Sequence, residues 1–240
     1  MTHRLLQIGP ITPAVDARLA KEYAVHPLWK ESDPAAFLTQ HGAEFEAAAT
    51  HLRFACDASL FAAMPNLKVL ANFGAGYDKI DIDAAHRHGV QVSNTPDVLN
   101  GCVADLAMGL LIDVARGIST TDRFVRAGGW KTGQRPLMTR VHGKRLGLLG
   151  FGGIGQEVAR RGVGFGMTVR YHTRRPVADT PHEHVGSLRE LAEWADFLVV
   201  ACVGGAATKH LVSAEILDAL GPQGILVNIA RGSVVDEAAL

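Results

Sequence analysis

A glycine-rich segment between two apolar stretches constrains the fold of this chain more than any other feature. The segment reads Gly-Phe-Gly-Gly-Ile-Gly over residues 150–155, and the apolar run Lys144–Leu149 before it is typical of a buried parallel strand. After it, the pattern favours a helix over Ile154–Phe165 and a second strand over Thr168–Thr173. A strand, a Gly-x-Gly-x-x-Gly turn, a helix and a second strand in this order predict a dinucleotide-binding fold.

The three glycines of this pattern have separate expected roles. Gly150 permits the tight turn, Gly152 lets the backbone approach a pyrophosphate, and Gly155 lets the helix pack closely on the strand. The N-terminus of the helix offers unpaired N–H groups and a partial positive charge to the phosphates. The predicted cofactor-binding residues of the segment are Gly150, Phe151, Gly152, Gly153, Ile154 and Gly155.

The end of the second strand indicates which dinucleotide is preferred. Sites that prefer NAD carry an Asp or Glu about twenty residues after the glycines, where it binds the ribose hydroxyls. Here that place, eighteen residues past Gly155, is Thr173, and Arg174 and Arg175 follow it. No carboxylate repels a 2′-phosphate, and two guanidinium groups are able to bind one. We therefore expect NADP(H) to be preferred, with NAD(H) as the alternative cofactor.

Length and composition exclude several classes of protein. The 240 residues are 48% hydrophobic, and Lys plus Arg balance Asp plus Glu at 24 each. This balance gives no reason to expect a nucleic-acid or anionic-membrane partner. The 3 cysteines form no Cys-x-x-Cys pair, the 11 histidines show no metal-ligand spacing, and no stretch is a signal peptide or a membrane span. We expect a soluble cytoplasmic protein without a metal site.

Short apolar runs alternate with helical patterns along the chain, which predicts parallel sheets covered on both faces. The predicted strands of the first part are Arg4–Ile8, Tyr23–Pro27, Phe45–Ala49, Val69–Phe73 and Val90–Asn94. The predicted helices between them are Pro13–Lys21, Pro34–Gln40, Ser59–Met64 and Asp83–His88.

A long helix is predicted from Val98 to about Ile118, and it would connect two αβ blocks. We expect its apolar face to be largely buried; that face carries Leu106, Leu110, Ile112 and Ala115. The polar and basic segment Ser119–Val141 that follows resembles an arm lying over a surface, such as that of a partner subunit.

The alternation resumes after Thr173. The predicted elements are a helix at Ser187–Ala195 with Ser187 as its N-cap, a strand at Asp196–Cys202, a helix at Ser213–Leu220 and a strand at Gly224–Ala230. His182 and His184 are assigned to a proline-flanked loop, and residues 236–240 to the first turn of a helix.

Five motifs, in order, resemble the D-2-hydroxyacid dehydrogenase family, in particular its glyoxylate/hydroxypyruvate reductase branch. They are Asn72–Asp81 (NFGAGYDKID), Ser93–Val98 (SNTPDV), Val103–Leu111 (VADLAMGLL), Gly150–Gly155 and Asn228–Ser233 (NIARGS). The resemblance implies a flavodoxin-like substrate domain at residues 1–97. It also implies a Rossmann NAD(P)-binding domain at 98–240 with a connecting helix at 98–118, and a homodimer formed through the cofactor domain and its arm.

The chemistry that the resemblance implies is hydride transfer between NAD(P)H and a small 2-keto acid, giving a D-2-hydroxy acid. Arg231 matches the arginine that binds the substrate's carboxylate and keto oxygen, a role suited to a planar donor fork. Ala75 and Gly76 match the loop whose N–H groups hold the carboxylate. The rest of the cofactor pocket would be formed by Cys202, Val203, Thr208 and Ala230.

The sequence also departs from the family pattern. Val203 replaces a proline, and Asn100-Gly101-Cys102 replaces a common Thr-Asp-Ala run. The family's carboxylate and proton-donating histidine, which follow the arginine by several tens of residues, have no match here. We therefore expect a C-terminally truncated chain that lacks the last part of the fold and is nearly inactive, since general acid catalysis contributes ~10²–10⁴ in rate.

Two other functions remain open. The first is a non-catalytic, cofactor-sensing dimer of the corepressor type, against which the intact Arg231 and carboxylate loop argue. The second is another branch of the family, phosphoglycerate or formate dehydrogenase; the former would have an acidic residue near Thr173 and the latter a long N-terminal extension.

Overall fold

Ten strands and nine α-helices make up the described part of the chain, residues 3–240, in this computed structural model. They divide into two compact units, Met1–Val98 and Leu99–Leu240. Each unit is built on one five-stranded sheet in which every neighbouring pair of strands is parallel. The predicted α/β class with parallel sheets is therefore confirmed.

The first unit winds in the order of flavodoxin-like folds. Its elements are β1 (Arg4–Gln7), α1 (Pro13–Glu22), β2 (Ala24–Pro27), α2 (Pro34–His41), β3 (Ala47–His51), α3 (Ala58–Ala63), β4 (Val69–Phe73), α4 (Ile82–Arg87) and β5 (Gln91–Ser93). The strands are ordered β2-β1-β3-β4-β5. In such a sheet, ligands bind beyond the carboxyl ends of the strands.

The second unit has the strand order of a Rossmann half. Its elements are α5 (Asn100–Arg116), α6 (Ile118–Arg126), β6 (Arg145–Leu149), α7 (Gly153–Gly164), β7 (Thr168–His172), β8 (Glu183–His184), α8 (Leu188–Trp194), β9 (Phe197–Val200), α9 (Ala214–Leu220) and β10 (Ile225–Asn228). The strands are ordered β10-β9-β6-β7-β8, so β6 is central and the winding reverses between β6 and β9. That reversal creates the crevice in which dinucleotides bind.

Apolar burial and polar caps explain why these elements form. The strands β6 and β9 are buried along almost their whole length, as expected for strands covered on both faces. Helix α8 begins at the predicted cap, where the Ser187 hydroxyl accepts from the N–H of Glu190. Most predicted elements differ from the observed ones by only one or two residues at their ends.

The long connecting helix ends where glycine permits a reversal. Helix α5 stops at Arg116, and Gly117 adopts the left-handed conformation with φ of 62°. Glycine takes this conformation without steric penalty, so it caps α5 and separates it from α6. The predicted arm therefore begins as a helix, and Arg135 ties it back by donating to the hydroxyls of Thr120 and Thr121 at 2.8 and 2.6 Å.

The prediction for the buried face of this helix was wrong at two of its four positions. Leu106 and Leu110 are exposed, whereas Ala115 is buried and Ile112 is half-buried. The face that packs on α7 and β10 instead carries Ala104, Ala107, Met108, Leu111 and Ala115. Small alanine side chains allow close approach between these elements, so the larger leucines are left on the outer face.

Two further predictions are corrected by the structure. His184 was assigned to a loop, yet Glu183 and His184 form strand β8, which pairs with Arg170 and Tyr171 of β7. Residues 236–240 were assigned to the first turn of a helix; the structure has a single turn at Glu237–Ala239 and no helix, and the Asp236 side chain accepts from the N–H of Ala238. No helix among residues 3–240 is long and apolar enough to cross a membrane.

Candidate functional site

The winding reversal of the second sheet gathers several predicted site residues. The glycine segment 150–155 follows β6, and Cys202 and Val203 follow β9, the neighbouring strand. The two strand ends touch, since a Cβ on Gly150 would lie 2.6 Å from the backbone nitrogen of Cys202. The structure thus brings together residues that are about fifty positions apart in the sequence.

The geometry requires glycine at two of the three pattern positions, Gly150 and Gly155, and leaves open space at the third, Gly152. Gly150 has φ of 98°, a conformation that L side chains rarely adopt. A Cβ on Gly155 would lie 2.4 Å from the carbonyl oxygen of Gly150, so any larger residue would push the helix away from the turn. Gly152 is different, because a Cβ there would meet nothing within 4 Å. The space above Gly152 is therefore open, as a site for a bulky anion requires.

Helix α7 begins immediately after this open space. Gly152 is its N-cap and offers no side chain to the first N–H groups of the helix. These groups are unpaired at a helix start and carry the positive end of the helix dipole. Phe151 is buried beside them, and its ring stacks on Tyr171 of β7 at a centroid distance of 4.2 Å. Gly153 and Ile154 form the first turn of the helix.

The loop after β7 carries the two predicted arginines. Arg174 and Arg175 are exposed, and the Thr173 hydroxyl donates to the carbonyl of Arg175 at 2.6 Å. Strand β7 ends at His172, one residue earlier than predicted. His172 pairs with Leu149, the last residue of β6. His172 thus holds the last strand position, where sites that prefer NAD place a carboxylate. The count of residues from Gly155 predicted Thr173 for this position, whereas the register of β7 against β6 places His172 there.

The loop after β9 lies beside the glycine turn and carries three more of the predicted cofactor-binding residues, Cys202, Val203 and Thr208. Burial raises the pKa of the Cys202 thiol, so the thiol is neutral at ordinary pH. Val203 is exposed, and its carbonyl accepts from the Thr208 hydroxyl at 2.9 Å. This bond closes the loop between the two residues.

Arg231 is held by its neighbours at the end of β10. The Asn228 side chain donates to the carbonyl of Arg231 and accepts from the N–H of Ala230, both at 2.9 Å. The Arg231 side chain passes over Gly204, where a Cβ would lie 2.5 Å from the Arg231 Cγ. Asn228 and Gly204 were not among the predicted site residues, although Asn228 stands in the quoted motif.

The predicted carboxylate loop lies at the end of β4 in the first unit. The side-chain amide of Asn72, which is 3% exposed, donates to the carbonyls of Gly74 and Gly76 at 3.2 and 2.9 Å. The amide of Asn94 donates to the carbonyl of Ala75 at 2.9 Å. Three consecutive carbonyls are therefore bound by side chains, which fixes the backbone of Ala75 and Gly76.

No group of His, Cys, Asp and Glu side chains within residues 3–240 is arranged to hold a metal ion. The strand order, the glycine turn and the open space at the start of α7 together define a dinucleotide-binding α/β protein.

Comparison with known proteins identifies the family. Residues 108–240 match the family model of the D-isomer specific 2-hydroxyacid dehydrogenase NAD binding domain. A hydroxyphenylpyruvate reductase from Plectranthus scutellarioides is 39% identical over 98% of this chain and 75% of its own length. A glyoxylate/hydroxypyruvate reductase A from Arabidopsis thaliana is 36% identical over the same shares.

Solved structures agree with the sequence relatives. The 2-hydroxyacid dehydrogenase from Ketogulonicigenium vulgare Y25 has a TM-score of 0.92 and 42% identity, covering 100% of this chain and 76% of that one. An NADPH-dependent glyoxylate/hydroxypyruvate reductase from Sinorhizobium meliloti, in complex with NADP and malonate, has a TM-score of 0.91 and 38% identity, covering 100% and 74%. The chain belongs to the D-isomer specific 2-hydroxyacid dehydrogenases, a family of oxidoreductases that use a nicotinamide cofactor. It spans about three quarters of the length of these relatives.

Proposed function

We propose that this protein is an NADPH-preferring oxidoreductase that reduces small 2-keto acids, of the glyoxylate and hydroxypyruvate type, to D-2-hydroxy acids. Support comes from the family and from relatives named as glyoxylate or hydroxypyruvate reductases. The observation that carries the proposal is the open space above Gly152 at the start of α7. It lies between Gly150 and Gly155, where the geometry admits no larger residue.

The glycine segment fits the pyrophosphate of a dinucleotide. The backbone of residues 150–155 would hold this pyrophosphate. The N–H groups of Gly153 and Ile154, in the first turn of α7, would donate to its oxygens. With the cofactor held in this way, its reduced nicotinamide ring would supply the hydride. The neutral Cys202 thiol, Val203, Thr208 and the backbone of Ala230 would form the rest of the pocket, and their uncharged surface suits adenosine and nicotinamide rings.

The loop after β7 would select the phosphorylated cofactor. Neither His172 nor Thr173 carries a negative charge, so neither repels a 2′-phosphate. Arg174 and Arg175 lie exposed on the same loop and would donate charge-assisted hydrogen bonds to it. NAD(H) would still bind through the pyrophosphate contacts, but with lower affinity.

Arg231, in the second unit, would bind the keto acid. The guanidinium of Arg231 would donate to the carboxylate and the keto oxygen, and stabilise negative charge that develops on that oxygen. In the first unit, the N–H groups of Ala75 and Gly76 would be able to bind a carboxylate. We assign the proton donor to none of the 11 histidines of the chain.

We also propose a homodimer through the outer face of α5. The apolar stripe Leu106, Leu110 and Val114 repeats every four residues of α5, which places these side chains on one face. Leu106 and Val114 are each 58% exposed. An exposed apolar stripe of this length is typical of a surface that another protein covers, and a two-fold pairing would cover it with the same stripe of a second copy.

Cofactor titration tests the proposed function. Calorimetry of NADPH and NADH binding to the 240-residue chain should show NADPH binding at least about tenfold more tightly, because of the charge-assisted bonds to its 2′-phosphate. Consumption of NADPH with glyoxylate and hydroxypyruvate would then be the second measurement. Failure of both nucleotides to bind would refute the proposal, and tighter binding of NADH than of NADPH would refute the cofactor preference.

A further inference from the structure

The loop that carries Arg174 and Arg175 is tied to the sheet by side chains. The ring nitrogen Nε2 of His184 lies 2.9 Å from the carbonyl oxygen of Thr173. The Thr173 hydroxyl donates to the carbonyl of Arg175 at 2.6 Å. On the far side, the N–H of Val177 donates to the Tyr171 hydroxyl at 2.9 Å. The loop is thus fixed before, within and after its two arginines.

The bond from His184 has one possible direction. A carbonyl oxygen only accepts, so Nε2 of His184 carries the proton and donates it to Thr173. The donor is also fixed in place, because β8 pairs with β7 so that His184 lies beside Tyr171. Its ring meets the ring of Tyr171 edge-on at 5.2 Å and stacks on His172 at 6.2 Å.

We infer that His184 is a positioning residue for recognition of the 2′-phosphate. It holds the Thr173 carbonyl and thereby sets the backbone from which Arg174 and Arg175 reach the phosphate. This inference rests on the proposed preference for NADPH. His184 itself need not touch the cofactor, since its contribution is to fix the loop before binding.

The physical reason is the cost of ordering a loop. Arg174 and Arg175 are exposed and their side chains are long, so binding a phosphate must immobilise them. A backbone that is already fixed leaves only the side chains to be ordered, which raises affinity. Loss of the His184 bond should therefore weaken binding of the 2′-phosphate and leave the pyrophosphate site at residues 150–155 unaffected.

Two adenine nucleotides separate these effects without requiring turnover. We would titrate 2′,5′-ADP and 5′-AMP into the wild-type chain and into H184F, which keeps an aromatic ring but has no donor. We expect H184F to bind 2′,5′-ADP at least about tenfold more weakly and 5′-AMP within about twofold of wild type. H184Q, whose amide is able to donate to Thr173, should recover most of the affinity.

Control variants distinguish a positioning role from a general structural one. H142F alters a histidine that precedes β6, at the opposite end of the sheet, and should bind both nucleotides as the wild type does. If H184F does not fold, H184N replaces it, since the shorter amide does not reach Thr173. Equal losses for both nucleotides, or no loss in either, would overturn the inference. Equal binding of both nucleotides by the wild-type chain would overturn the NADPH preference and this inference with it.

Discussion

Gly150 and Gly152 belong to one turn, yet only Gly150 must be glycine for the fold; at position 152 glycine is needed only by the proposed cofactor site. A side chain at Gly150 would have to adopt φ of 98° against the backbone of Cys202. Gly152 has φ of −78°, which any residue adopts. A change at Gly152 therefore tests the binding site separately from the fold.

We predict that Gly152→Ala folds normally but binds NADPH at least about tenfold more weakly, because the added methyl group occupies the space proposed for the pyrophosphate. Calorimetry measures the affinity, and a thermal melt checks the fold. Gly164→Ala is the matched control, since Gly164 ends the same helix and a Cβ there also meets nothing within 4 Å. Unchanged NADPH affinity in Gly152→Ala would contradict the proposed cofactor site.

A second residue-scale prediction concerns His172, the last residue of β7. His172→Asp should weaken binding of 2′,5′-ADP at least about tenfold, because a carboxylate there repels the 2′-phosphate. Binding of 5′-AMP should be retained. His172→Asn is the control, since it removes the imidazole without adding charge and its amide is able to donate to the Val185 carbonyl as His172 Nδ1 does. If His172→Asp binds 2′,5′-ADP as tightly as the wild type does, position 172 does not face the 2′-phosphate.

At the scale of elements, Asp196 joins the starts of β6 and β9. Its carboxylate accepts from the backbone N–H of Arg145 at 2.9 Å and from the Arg145 guanidinium at 3.1 Å. Burial alone would raise the pKa of Asp196, but these bonds outweigh burial and hold the pKa below its ordinary value of 3.8. The charged form therefore stabilises the fold above this pH, and the stabilisation is lost as the pH falls through the folded-state pKa.

We predict that Asp196→Asn lowers the free energy of unfolding by about 1 kcal/mol at pH 7, a modest value because the pair is partly solvated. The difference from wild type should shrink as the pH falls below 3.8 and through the folded-state pKa, where the wild-type carboxyl also becomes protonated. Urea unfolding across this pH range measures it. Asp218→Asn, on the exposed side of α9, should be neutral throughout. A constant difference at all pH values would show that the charge of Asp196 does not contribute.

Much of the element order follows from the sequence, because parallel strands buried on both faces give short apolar runs such as those of β6 and β9. Strand β8 could not be predicted this way, since Glu183 and His184 are polar and owe their conformation to pairing with β7. The break at Gly117 was missed because glycine also occurs inside helices, as Gly109 does here. The roles of the predicted site residues stay predictions.

At the scale of the whole molecule, the exposed leucines of α5 show what the sequence of one chain does not reveal about burial. An apolar helix face indicates burial but does not say whether the same chain or another copy covers it. The structure shows that α5 packs inward through its alanines, Met108 and Leu111, so the apolar stripe is left exposed on the outer face.

We predict that Val114→Glu converts the homodimer to a monomer, because a charge at the centre of an apolar interface loses its hydration without gaining a partner. Light scattering with size-exclusion chromatography measures the mass. Val163→Glu is the matched control, since Val163 of α7 is 53% exposed but lies outside the stripe. A wild-type chain that is monomeric at all concentrations, or a Val114→Glu variant that stays dimeric, would refute the proposed interface.

The Arg231 side chain crosses directly over Gly204 and therefore restricts which residues position 204 accepts. A methyl group at Gly204 would lie 2.5 Å from the Arg231 Cγ, near the root of that side chain, where a rotation about the terminal bonds gives no relief. Even alanine at position 204 therefore moves the arginine as a whole. Any substitution at Gly204, alanine included, is expected to displace Arg231 and weaken binding of a 2-keto acid.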